Sequence, residues 1–256
     1  MNVPFFKQEI QVISFKPAFV LILVAVCLTG AHFLSASSIF EEYQQLFYML
    51  GLQFFFDQLQ FLLTKSELRQ FYQLLYWVFH LLIFYVFIPF LFISFILKER
   101  IKDYGLKLNG MFLYYHYYLI AFVLIFPIVL IASFSSVFQI TYPFFVPLDK
   151  AEIVPYFLIW EFAYILQFFA LEFFFRGFIV QGLKTQMGIY SVFVMVVPYC
   201  MIHFSKPLPE CIGSIFAGVF LGLMSYRTNS VWLGAFLHVG VAVSMDLLSL
   251  WHKGYF

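Results

Sequence analysis

Long apolar runs separated by short polar breaks make up most of this chain. They cover Phe15–Ser35, Tyr72–Leu97, Met111–Phe134, Ile153–Leu183, Ile189–Phe204, Cys211–Tyr226 and Val231–Leu250. A helix that crosses a bilayer needs about 20 consecutive apolar residues, so these runs predict seven spans. The stretch Ile39–Gln73 reads differently, because Glu41, Glu42, Asp57 and Glu67 interrupt aromatic runs such as Phe54-Phe55-Phe56. It predicts one or two amphipathic helices lying at the membrane interface. The expected fold class is therefore all-α: a polytopic transmembrane helix bundle of about seven spans with interfacial amphipathic helices. S-A-S-S at 35–38 loosely imitates a signal-peptidase site. A retained first span is the expectation, because the apolar run is long and more follow.

Composition strengthens this picture. Of 256 residues 64% are hydrophobic and 11% charged, against about a quarter charged in an ordinary soluble domain. A net charge of +1 gives no reason to expect a nucleic-acid partner; the expected surroundings are the lipid bilayer. Lys98, Arg100, Lys102 and Lys107 crowd one short loop, which the positive-inside rule places in the cytoplasm. Alternation then puts Lys7, Lys16, Lys184, Arg227 and the N terminus on that side, with Lys65, Arg69, Lys150, Lys206 and Lys253 opposite. Cys27, Cys200 and Cys211 lie in or beside apolar runs without metal-type spacing and are expected as core residues. Ser214, Gly218 and Gly222 repeat every fourth residue, with Gly213 and Ala217 forming a second row; small residues so spaced predict close helix contact within the chain.

Ionisable groups at membrane depth are costly and mark candidate function. They concentrate in the second half as Glu161, Glu172, Arg176, His203, His238 and Asp246, whereas the earlier spans carry only His32, His80 and His116. These three histidines are expected as hydrogen-bonded interior or interface groups. At about 1.5 Å of rise per residue, Glu172, His203 and His238 reach similar depths in three different helices. Glu172 and Arg176 stand four apart on one helix face and are expected to pair, and Glu161 extends a polar stripe on nearly the same face. Pro207 and Pro209 end one element at His203 and open the next at Glu210. Glu210 then either serves the dipole of its helix or folds back toward His203. His238 and Asp246 are about 80° apart around their helix, too far to address one ligand squarely.

L-E-F-F-F-R (171–176), Y-C-M-I-H (199–203) and His238, in that order, resemble the three motifs of the CPBP family. That family groups the CAAX prenyl endopeptidases with bacteriocin-processing (Abi-type) proteins. K-E-R-I-K-D-Y-G-L (98–106) also resembles a basic loop carried upstream by many members. Leu171 stands at the family's first Glu, the activator of water, and Ala242 at the family's Asn. The resemblance divides the chain into an N-terminal membrane region, 1–97, and a CPBP-like domain, 98–256. It implies an intramembrane endopeptidase of a bacterial plasma membrane, cutting a membrane-associated peptide or protein substrate.

Such hydrolysis needs an activated water and a stabilised oxyanion. The candidate catalytic residues are Glu172, Arg176, His203, His238 and Glu210, with Glu172 or Glu210 as base and Arg176 holding Glu172 ionised. A metal-free site would act directly. A metallo-type site would hold zinc on His203, His238 and Glu172. The alternative reading of Leu171 and Ala242 is a catalytically inactive membrane scaffold or immunity protein. A transporter would be expected to show an internal repeat, and none is apparent.

Overall fold

A computed structural model describes residues 15–108, 111–147 and 153–255. Lys7, Asp149 and Lys150 lie outside them. Eight helices carry the architecture: α1 (Phe15–Phe33), α2 (Gln53–Thr64), α3 (Arg69–Leu97), α4 (Tyr115–Ala132), α5 (Tyr156–Met187), α6 (Tyr190–Met201), α7 (Leu208–Thr228) and α8 (Trp232–His252). No strand forms among the described residues beyond one isolated bridge between Leu106 and Ser230. The chain is a polytopic helical bundle.

Among the described residues, six helices are long and apolar enough to cross a membrane. The seventh expected span, Ile189–Phe204, is corrected: α6 has 12 residues and stops at Met201. That is about 18 Å of helix, short of the roughly 30 Å hydrocarbon core. The ladder breaks into a turn at Ile202–Lys206, before Pro207, which has no N–H to continue it. The amphipathic region is shorter than its sequence suggests. Short helices at Ser37–Tyr43 and Gln44–Met49 and then α2 gather around Phe40, Phe56 and Leu63. From Arg69 onward the chain already belongs to α3.

Helix α5 is the centre of the bundle. Its Phe173, Phe174, Phe175 and Phe178 pack with Val20 and Val24 of α1, Tyr85 and Ile93 of α3, and Val192, Met195 and Tyr199 of α6. Its earlier residues Phe157, Trp160, Tyr164 and Phe168 meet Phe71 and Val78 of α3 and Ala242 and Leu250 of α8. By contrast α4 turns Leu119, Val123, Leu124, Ile128 and Ile131 outward, a surface suited to acyl chains rather than water. The glycine row of α7 receives α6. A Cβ on Gly222 would stand 2.7 Å from Val192 Cγ1, and one on Gly218 would stand 3.0 Å from Tyr199 Cδ1. Gly213, in the second row, faces nothing within 4 Å.

Polar ties fasten the two ends. At one end Lys16 pairs with Glu99 at 2.8 Å, Tyr104 Oη donates to Glu99 at 2.6 Å, and Lys184 donates to Asn229 Oδ1 at 2.7 Å. The carbonyl of Gly105 accepts from Val231 N at 2.9 Å, docking the basic loop against the start of α8. Lys16, the 98–107 loop, Lys184 and the end of α7 thus share one end of the bundle. At the other end the segment from Ser133 to Pro147 is strapped to the end of α8. His252 bonds Ser133 at 2.9 Å, Lys253 donates to the Gln139 and Tyr142 carbonyls, and Tyr255 donates to Pro147 O.

Candidate active site

Glu172 ends the regular α-helical part of α5, and Phe173–Gln181 continues as π-helix. Such wider turns recur at functional sites. Glu172 and Arg176 both have fully buried side chains, with Nη1 3.0 Å from Oε1. In place of a well-directed hydrogen bond to that carboxylate, the guanidinium lies over the Tyr199 ring, 3.9 Å from its centroid. Its positive charge faces the ring's negative π-face, and Tyr199 comes from α6.

The same Oε1 contacts Nδ1 of His238 at 3.1 Å, bringing α8 to α5. The His238 imidazole rests against Phe168 with ring centroids 4.5 Å apart and keeps 18% of its side chain exposed. Gly234, one turn earlier on α8, lets the carboxylate approach the helix: a Cβ there would lie 3.1 Å from Glu172 Oε2. His203, in the turn after α6, bonds Tyr199 O through Nδ1 at 2.8 Å, and its ring packs 4.8 Å from that of Tyr199. A chain of contacts therefore runs His238–Glu172–Arg176–Tyr199–His203.

These contacts assign the protons. A carboxylate paired with a guanidinium and a backbone carbonyl both only accept, so Nδ1 of each histidine must donate. In the neutral form of either ring, Nε2 then carries the lone pair. Glu172 Oε2 and the Arg176 nitrogens have no hydrogen-bond partner among the described residues.

Glu210 is placed elsewhere. Tyr142 Oη donates to it at 2.7 Å, Lys206 Nζ lies 3.8 Å from it, and Lys206 donates to Tyr142 Oη at 3.0 Å. Burial first, and then the Glu210 charge, push the Tyr142 phenol well above its ordinary range, so it remains a donor. Glu210 makes no hydrogen bond or ion pair with Glu172, His203 or His238. The expected polar stripe divides as well. Asp246, about 12 Å along α8 from His238, faces Glu161 of α5, and neither carboxyl has a well-placed protein donor.

Leu171 and Ala242 are buried in two different apolar clusters. His80 bonds Tyr76 O at 2.9 Å, whereas His32 and His116 lie exposed on the bundle surface. Three residues with no motif of their own also attend this core: Gly234, Ser225, whose Oγ donates to Arg176 O at 3.3 Å, and Tyr118 of α4, which feels the Glu172 and Arg176 charges. The only sequence signal for Gly234 was a small residue one helical turn before His238.

The residues expected to hold zinc do not fit it as arranged. Glu172 meets His238 and Arg176 through Oε1, and its Oε2 and the two imidazole Nε2 atoms do not converge on one point, where catalytic zinc takes three protein ligands. No group of three metal-ligating side chains is poised for an ion among the described residues.

Residues 153–244 match the family model described as Type II CAAX prenyl endopeptidase Rce1-like. That segment contains Glu172, Arg176, His203, Glu210 and His238. No curated protein and no solved structure matches the chain.

Proposed function

Because residues 153–244 match the family model described as Type II CAAX prenyl endopeptidase Rce1-like, we propose that this chain is a CPBP-type intramembrane endopeptidase. The observation that carries the reading is the 3.1 Å contact between Glu172 and His238, with His203 on a third element at the same polar core. Glu172 fixes the tautomer and orientation of His238, as a buried carboxylate does for a catalytic imidazole in hydrolases. Nε2 of His238 takes a proton from water, and the water oxygen attacks the scissile carbonyl. Nε2 of His203 accepts the water's second hydrogen bond and so orients it. When the C–N bond breaks, His238 returns its proton to the leaving amine. The Arg176 charge balances Glu172 and, in this reading, favours the developing oxyanion. In this reading Glu172 acts through His238, and Glu210 orders the turn bearing His203 rather than serving as base. The substrate is a membrane-associated peptide or protein, met in a bacterial plasma membrane with the 98–107 loop and the N terminus in the cytoplasm.

The test is a comparison of protein termini in membranes of a host expressing the wild type, His203→Ala or His238→Ala. New termini in membrane proteins should appear with the wild type and vanish with both variants, while insertion is unchanged. Identical termini in all three would overturn the reading. One observation favours an inactive scaffold instead: Leu171 points into apolar core, so the family's first Glu has no polar substitute at its own position.

A further inference from the structure

Two cysteines outside the proposed reaction lie where they bear on it. Cys200 is in the last turn of α6 and Cys211 in the first turn of α7, and their Sγ atoms are 3.9 Å apart without a bond. Both are half-buried, whereas Cys27 is fully buried. Between them run the turn that carries His203 and the start of α7, which carries Glu210. The close packing of α6 on the glycine row of α7 holds the two helix ends in register, so the thiols meet in the folded bundle as a fixed feature. A disulfide needs its sulfurs about 2.05 Å apart, within reach of side-chain rotation and a small shift of the turn.

We propose that Cys200 and Cys211 form a reversible intramolecular disulfide that clamps the segment between them, the turn bearing His203 and the start of α7. The two thiols give up two electrons and two protons as the S–S bond forms. The oxidant is a protein or small-molecule disulfide, which takes both up and leaves as two thiols. Exchange begins with one thiolate attacking that disulfide and ends when the neighbouring cysteine displaces the mixed disulfide. Drawing the sulfurs together moves the backbone three residues before His203. The effect on hydrolysis rests on the endopeptidase reading; the bond itself does not.

The protein in native membranes is treated with diamide, an azo oxidant reduced to its hydrazine, then denatured and tagged with a maleimide polymer. Reduced wild type should take three tags and oxidised wild type one. Cys200→Ser and Cys211→Ser should each take two tags before and after oxidation. Three tags on oxidised wild type, or a bond involving Cys27 or a second chain, would overturn the proposal. A second readout is hydrogen exchange of residues 202–210, which should slow on oxidation of the wild type alone; unchanged exchange refutes the clamp. Cleavage should fall about 10- to 100-fold on oxidation, the scale expected for a small displacement of a catalytic group, and recover with a thiol reductant. Absence of cleavage in both redox states would count against the endopeptidase reading, while the tag count still decides the disulfide.

Discussion

Glu172 is fully buried, so its neighbours decide whether the fold tolerates it. Arg176 supplies the counter-charge from the same helix. Removing one partner of a buried pair leaves an uncompensated charge, at a cost of about 3–5 kcal/mol. Arg176→Leu should therefore lower unfolding stability in detergent by that order. The Glu172→Gln/Arg176→Leu double variant should recover much of the loss, and a double-mutant cycle measures the coupling. Glu172→Gln alone tests chemistry more than folding. An amide N–H turned toward His238 Nδ1 selects the other tautomer and removes the lone pair from Nε2. Cleavage turnover should drop about 10⁴-fold with membrane insertion unchanged. A small loss would place the base elsewhere, with Glu210 the next to test.

At the scale of elements, the contact between α6 and α7 positions His203, because the turn that bears it hangs from both helices. Lipid tails give packed helices no hydrophobic advantage, so close van der Waals fit carries the contact. Gly222→Ala would place a Cβ 2.7 Å from Val192 Cγ1. Such overpacking costs about 1–3 kcal/mol, and the turn should shift with it. Gly213→Ala, with nothing within 4 Å, should stay within about 0.5 kcal/mol of the wild type. Thermal unfolding of the two variants side by side checks the pair, and equal losses would mean that the close row does not hold α6. The glycine spacing predicted a tight contact. The partner helix was not legible, because spacing marks a face and says nothing of what meets it.

Across the whole molecule, contacts from α5, α6 and α8 converge on one polar core, and their geometry also bears on metal use. Glu172 Oε1 is taken up by His238 and Arg176, and its Oε2 and the two imidazole Nε2 atoms do not converge on one ion site. Cleavage by the purified protein in vesicles should therefore survive a divalent-metal chelator and gain nothing from added zinc. Chelator-sensitive activity restored by zinc would show that the three groups rearrange to ligate it.

What the sequence determined by itself was the set of long spans and the pairing within one helix. Each crossing demands a long apolar run, and two charges four residues apart on a helix share a face wherever that helix ends up. Only the tertiary structure decided the rest. α6 stops at Met201 because a hydrogen-bond ladder ends where backbone geometry changes, which an unbroken apolar run does not record. Glu172 meets His238, Asp246 meets Glu161, and Glu210 meets Tyr142 from a distant loop. Each of these contacts depends on how helices remote in sequence rotate and slide against one another, and that is set by the summed packing of the bundle.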